Sequence, residues 1–343
     1  MHVSWIDAAA VLLIAAAGTL ILAKNVEGYA AHHLLNVSYD PTRELYQHLN
    51  PRFAARYERD TGGTVAVKQS HGGSSYQARQ VAVGEQQADV VTLGLPSDVD
   101  GIRKRGLIAD DWQTRLPNQA RPYTSTIVFV VRKGNPLSIH DWPDLIKPGV
   151  EVITPDPKTS GNGKLTALAA WGSVVTRGGT PDQAKAFLKA LYDHAPFLVQ
   201  AARAAGVAFA VEKKGDVHLA WENEALRETA ETKGALEIVY PPVSILAEPS
   251  VAVVDANAAK HGSAKLAQAY LDYLFTDEAQ EIIARDGYRP FNQAILDRHR
   301  DSLKPIDLFA VTAIAKSWPD AQQTFFAENG IIDTVYTPKP RTE

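Results

Sequence analysis

The chain has 343 residues of ordinary globular composition, long enough for two domains with cores of their own. A formal net charge of −4, with no basic run interleaved with aromatics, speaks against a nucleic-acid partner. The absence of cysteine excludes thiolate metal sites, thiol redox motifs and disulfides, and fits a bacterial envelope protein that folds without oxidative help.

Residues 8–23 (AAAVLLIAAAGTLILA) are uncharged and almost wholly apolar. As a helix they would cover roughly 24 Å, short of a comfortable bilayer span and generous for the apolar part of an export signal. Gly28-Tyr29-Ala30 ahead of Ala31 supplies a small-x-small cleavage site, although no Lys or Arg precedes the run. Residues 1–31 therefore read as an export segment, either a cleaved signal peptide or a retained membrane anchor.

Beyond the leader, strands alternate with helices. Residues 34–39 (LLNVSY) read as a buried strand, and Asp40-Pro41 opens a helix with Pro in its first turn. Leu45, Leu49, Phe53 and Tyr57 recur every four residues as a core-facing stripe, with a kink or an Asn50-capped restart expected at Pro51. Residues 64–67 and 89–93 are the next strands, with a helix after Ser74 between them. Residues 126–131 (TIVFVV) carry the chain into a second lobe. That lobe takes in a strand over 150–154, a helix over 164–176, another after Pro181, and a strand over 236–239. Residues 250–254 mark the return, followed by a helix over 263–275 and another capped by Thr276, whose first turn carries Asp277 and Glu278. The alternation predicts an α/β protein of two lobes, each a mostly parallel sheet flanked by helices, with a cleft between them. The expected limits are 32–120 for the first lobe, 121–245 for the second, and 246–343 for the return to the first lobe and the C-terminal helices.

Three separated segments are rich in hydrogen-bond donors: Ser70-His71-Gly72-Gly73-Ser74, Thr159-Ser160-Gly161-Asn162-Gly163-Lys164 and Ala220-Trp221-Glu222-Asn223. Small residues let backbone N–H groups approach an oxyanion, a helix starting behind them adds a favourable dipole, and an indole donates without accepting. No nucleophile–base pair or metal-ligand cluster stands beside them, so the pattern is one of capture without chemistry, with no cofactor. Residues 160–164 look superficially like a phosphate loop, but Lys158 and Leu165 occupy positions that loop gives to Gly and Ser/Thr. The His71-Gly72-Gly73-Ser74 turn faintly resembles an esterase oxyanion turn, yet no Gly-x-Ser-x-Gly elbow accompanies it. His71 reads as a structural hydrogen-bonder, and Glu222 with Glu224 as one solvated or salt-bridged face.

Several stretches are very similar to the periplasmic sulfate/thiosulfate-binding proteins of ABC importers, in that family's order. They are residues 35–46 (LNVSYDPTRELY), 69–74 (QSHGGS), 122–129 (PYTSTIVF), 141–142 with 144–150, 169–172 (AAWG), 215–217, 220–225 (AWENEA), 244–249 (SILAEP) and 288–290 (YRP). The resemblance covers nearly everything after the leader. It implies the two-lobed type II periplasmic binding fold, with sulfate or thiosulfate held in the interlobe cleft by neutral donors alone. Those donors would be the backbone N–H groups of Asp40, Ser74, Gly161, Asn162 and Ala202, the hydroxyl of Ser160 and the indole of Trp221. Asn162 stands where the family has a second glycine, and the loop around Ala202 matches only loosely. Asp40 would offer its backbone while its carboxylate caps a helix, and Lys164 and Arg203 would polarise the surrounding peptides or pair with acids rather than touch the anion. The resemblance further implies a periplasmic monomer that serves the permease subunits of a sulfate-class ABC transporter. Molybdate or another tetrahedral oxyanion is the alternative ligand, and a hydrolase using the His71 turn the alternative function.

Overall fold

The structure, a computed structural model, describes residues 32–336. The apolar run and its cleavage site lie outside the described residues. Strand β1 (His32–Tyr39) leads through a tight turn at Asp40–Thr42 into helix α1 (Arg43–Thr61). Strand β2 (Val65–Gly72), helix α2 (Ser74–Ala82), strand β3 (Val90–Leu93) and helix α3 (Pro96–Arg103) complete the first passage. Helix α1 runs unbroken through Pro51, so the restart offered as one alternative there does not occur. An interior proline costs about 3 kcal/mol, which the buried face of Leu45, Tyr46, Leu49 and Phe53 offsets. Asn50 caps nothing; its Oδ1 accepts from the Tyr270 hydroxyl at 2.7 Å.

The chain then crosses at β4 (Tyr123–Thr124) and builds the second sheet with β5 (Ile127–Arg132) and β6 (Val152–Pro155). Helices α4 (Gly161–Val175) and α5 (Pro181–Asp193) follow, then β7 (Leu198–Val199) and α6 (Ala202–Gly206). Strand β8 (Val217–Trp221), helix α7 (Glu222–Glu231), β9 (Leu236–Val239) and β10 (Val243–Ile245) complete this passage. Strand β11 (Ser250–Val253) re-enters the first sheet, backed by α8 (Ala264–Tyr273) and α9 (Asp277–Arg285), the latter capped by Thr276. Last come β12 (Arg289–Pro290), β13 (Asp307–Phe309) and α10 (Ile331–Val335).

The first sheet has the order β11-β3-β1-β2 and the second β7-β6-β8-β5-β9. Both are mixed. In the first, β11 runs antiparallel to β3; in the second, β5 runs antiparallel to β8 and β9. The strands that break the parallel pattern are those arriving from the other lobe. They enter their sheet without a crossover helix, and parallel pairing needs one. Three segments form the passage between lobes: β4 pairs antiparallel with β12, and Ser125 bridges Ala247. The returning segment divides instead of rejoining the first lobe as a whole. Helices α8 and α9 pack on β11 and α1, whereas β13 pairs with β10 and α10 packs on α5 of the second lobe.

Candidate functional site

Every donor named from the sequence lies where a loop or strand gives way to a helical turn. Asp40 opens the turn after β1, and Ser74 is the first residue of α2 after Gly73. Ser160 precedes α4, of which Gly161 and Asn162 are the first residues. Ala202 begins α6, and Trp221 ends β8 directly before α7. The first N–H groups of a helix have no partner within it, and the helix dipole places partial positive charge there. All of these residues are buried.

Close approaches bring the segments together from both lobes. Gly94, just past β3, lies so near its neighbours that a Cβ there would stand 3.4 Å from both Trp221 Cζ2 and Tyr39 Cδ2, and 3.5 Å from Ser74 Oγ. The Tyr39 and Trp221 rings are 5.3 Å apart. A Cβ on Gly161 would be 3.2 Å from Ser74 Cβ, and one on Gly73 only 2.5 Å from the Thr159 carbonyl oxygen. Gly73 is therefore glycine because backbone from the opposite lobe occupies the space of a side chain. The Arg203 N–H, beside Ala202, donates to Asp40 Oδ2 at 3.3 Å and ties the start of α6 to the turn after β1.

The side chains sort into two kinds. Trp221 Nε1 is fully buried and has no hydrogen-bond partner, as is Asn162 Nδ2, while Asn162 Oδ1 accepts from Thr166 Oγ1 at 3.2 Å. The φ of Asn162 is not positive, so replacing the family's glycine leaves an ordinary helical start. Ser160 makes no side-chain cap bond, whereas the Ser74 hydroxyl is engaged, donating to Asp98 Oδ2 at 2.6 Å and accepting from the Gly94 N–H at 3.0 Å. This leaves Ser74 its backbone N–H to offer, and no Ser74–His71 pair of the kind a hydrolase needs.

Charged groups, by contrast, are paired with one another. Lys164 Nζ lies 3.1 Å from Asp98 Oδ1 across the lobes and donates to Gln322 Oε1 at 2.8 Å. Arg203 grips Glu44 of the first lobe at 2.7–2.9 Å and reaches Glu224 at 3.4 Å. Arg289 holds Glu222 through two bonds of 2.7 Å. Lys164 and Arg203 thus pair with acids, as expected.

Burial shapes the acidic side chains and His71. Of the solvated or salt-bridged alternatives for Glu222 and Glu224, the salt-bridged one holds: both are buried in separate ion pairs, Glu222 with Arg289 and Glu224 with Arg227 and Arg203. Burial raises both carboxyls, Glu224 to about 7 against the opposing pull of Arg227 and Arg203. The Asp40 carboxylate does not cap its own helix, since Asp40 lies inside the turn; it accepts from Arg43 at 2.8 Å and from the Arg203 N–H in the first turn of α6. His71 Nδ1 is buried without a partner, and burial pushes the imidazole down to about 4, so the ring is neutral near pH 7.

Sequence reasoning missed Asp98, which binds Ser74, Ser75 and Lys164 at once. It follows Pro96 on an unremarkable helix start, and no local signal marks it. Among the described residues no group of three or more His, Cys, Asp and Glu is placed to hold a metal. Helix starts from both lobes gathered beside a buried, unpartnered indole, with the nearby charged groups already paired, suit an anion that accepts hydrogen bonds and carries no proton.

Residues 36–289 match the family described as bacterial extracellular solute-binding protein. The chain is 48% identical to a sulfate-binding protein of Salmonella typhimurium over 93% of its own length and 95% of that protein's. It is 45% identical to a thiosulfate-binding protein of Pseudomonas aeruginosa, with 92% and 96% covered. Among solved structures, the sulfate-binding protein SubI from Mycobacterium tuberculosis superposes with a TM-score of 0.78 at 30% identity, covering 86% of this chain and 99% of that one.

Proposed function

Because the chain belongs to the sulfate/thiosulfate-binding family of bacterial extracellular solute-binding proteins, we propose that it captures sulfate or thiosulfate in the periplasm and delivers it to an ABC importer. The anion is held by the N–H groups of Asp40, Ser74, Gly161, Asn162 and Ala202, the Ser160 hydroxyl and the Trp221 indole. The observation that carries this reading is Trp221 Nε1, a strong donor fully buried where the two lobes meet and bonded to nothing in the protein. An orphaned buried donor costs about 1–3 kcal/mol, and an oxyanion at that position satisfies it. Sulfate suits the shell because its oxygens only accept. Phosphate near pH 7 brings a proton for which the shell has no acceptor, so it is rejected.

The receptor works as a monomer without cofactor or catalysis, and its partner is the permease of a sulfate-class transporter. Export is the role of residues 1–31. Mass spectrometry of protein from its own host separates a cleaved leader, with a start near Ala31, from an anchor that retains Met1. Calorimetry of desalted protein tests the ligand: saturable binding of sulfate or thiosulfate with weak phosphate binding supports the reading. Molybdate binding tighter than either would reassign the receptor to another tetrahedral oxyanion, and turnover of ester substrates would make it a hydrolase.

A further inference from the structure

The crossing segments do more than connect the lobes. Tyr288, immediately before β12, is buried, and its hydroxyl donates to the Pro41 carbonyl at 2.8 Å while accepting from Asn223 Nδ2 at 2.9 Å. The same Nδ2 lies 3.3 Å from the Pro41 oxygen. Pro41 follows Asp40 in the first lobe, Asn223 stands two residues after Trp221 in the second, and Tyr288 belongs to the passage between them. One hydroxyl therefore touches all three parts of the molecule. Arg289, the next residue, grips Glu222, so both residues following Trp221 are held by this strand. Gly287 makes the approach possible: its φ is +84°, and a Cβ on it would stand 3.1 Å from Asn223 Cα.

We infer that Tyr288 is a positioning residue for anion capture, whose hydroxyl sets the Asp40 donor of the first lobe in register with the Trp221 donor of the second through the Pro41–Tyr288–Asn223 contacts. The inference deepens the sulfate reading and rests on it. A tyrosine hydroxyl has one proton, so donating to Pro41 leaves its lone pairs for the Asn223 amide. The bonds run one way, from Asn223 through Tyr288 to Pro41, and each polarises the next. Burial holds the Tyr288 phenol well above its usual value, so the proton stays in place through the neutral range. Because Asn223 and Pro41 come from opposite lobes, the set is complete only while the lobes are together, and it breaks when they rotate apart. Phenylalanine at 288 keeps the packing against Tyr123, whose ring lies 4.7 Å away, and deletes both hydrogen bonds.

The test uses the full chain in stopped-flow sulfate binding followed by tryptophan fluorescence, with melting measured with and without sulfate. Tyr288→Phe should release sulfate about 5–30-fold faster with its association rate little changed and its sulfate-free melting close to the parent's. Asn223→Ala should act in the same direction, and the double variant should be no worse than the poorer single one, since both delete the same path. Lowered sulfate-free melting with unchanged release would make Tyr288 purely structural and overturn the inference, as would additive effects in the double variant. Should Tyr288→Phe fail to fold, Asn223→Ala alone decides by the same two readouts. A parent protein that binds neither sulfate nor thiosulfate overturns the ligand reading and this inference together; a parent that binds while both variants release normally overturns this inference alone.

Discussion

Trp221 and Lys164 are both buried where the lobes meet, yet their donors are treated oppositely. The indole N–H is left without a partner, whereas the ammonium is bonded to Asp98 and Gln322. The contrast extends to the groups around them. The uncharged donors of the proposed shell lie at or beside the starts of α2, α4, α6 and α7, while Arg203, Arg227 and Arg289 are taken up by Glu44, Glu224 and Glu222. A buried charge without a partner is costly, and a paired one contributes little net attraction to a third party. Helix dipoles carry no such desolvation cost and remain oriented when the site is empty. The difference teaches that recognition and cohesion use separate inventories here. Under the proposed function neutral donors meet the ligand, while the Lys164–Asp98 and Arg203–Glu44 pairs join the lobes.

The severest way to break this division is to remove a charge. Asp98→Ala leaves Lys164 short of its counter-charge and deprives the Ser74 and Ser75 hydroxyls of their acceptor. Breaking a buried pair from one side costs about 3–5 kcal/mol, to be read in melting of the sulfate-loaded protein. The paired variant Asp98→Asn with Lys164→Met removes both charges and should recover much of that loss along with sulfate binding. If it stayed stable yet could not bind, Lys164 would be a counter-ion for the anion and the division would fail.

Next in size is the indole. Trp221→Phe should weaken sulfate by about 1.5–3 kcal/mol, roughly 10–150-fold, the range for a hydrogen bond to a charged group. Sulfate-free melting should hold or rise, since the variant also deletes an unsatisfied buried donor. Unchanged affinity would return Trp221 to the core.

What the sequence makes legible here is local. Gly72-Gly73-Ser74, Ser160-Gly161 and the Trp221 turn each sit at a strand-to-helix junction that apolar runs and small residues announce by themselves. The stripe of Leu45, Leu49 and Phe53 is equally plain, and Thr276 caps α9 as its position suggests. The illegible parts depend on residues far apart in sequence. Asp98 meets Lys164 across 66 positions and Tyr288 meets Pro41 across 247, and nothing near either residue encodes the meeting. The helix continues through Pro51 because tertiary burial outweighs a local cost that alone is visible in the sequence. The antiparallel strands within the mostly parallel sheets are illegible for the same reason: strand direction follows from which lobe a strand arrives from, a property of the whole path.

A finer test asks whether the Ser160 hydroxyl belongs with the neutral donors or merely begins α4. It makes no side-chain cap bond, so Ser160→Ala should leave sulfate-free melting almost unchanged while weakening sulfate by about 1–2 kcal/mol. A helix cap would show the reverse, with stability falling in the absence of sulfate.

The last test is a matter of protons, and it separates the two inventories by pH. Burial raises the Glu224 carboxyl from 4.5 to about 7, so the folded protein holds that proton more tightly than the unfolded chain does. Its contribution to stability is fully present below about 4.5 and is lost as pH rises towards 7. His71 has the opposite sign: lowered from 6.5 to about 4, it contributes above 6.5 and loses that contribution as pH falls. Between those limits the two slopes oppose each other in the parent. Glu224→Gln removes one of them, so the stability of the variant relative to the parent should climb from about pH 4.5 to 7 and level off beyond, in denaturant titrations at fixed salt. Sulfate affinity should stay flat from about pH 5 to 8 in both proteins, because amides, a hydroxyl and an indole do not titrate there and His71 is already neutral. Flat binding over sloping stability keeps the donors and the ion pairs apart. A step in affinity near pH 7 that vanishes in Glu224→Gln would mean that Arg203 carries the carboxyl's charge state through to the anion, and the two inventories would then be one.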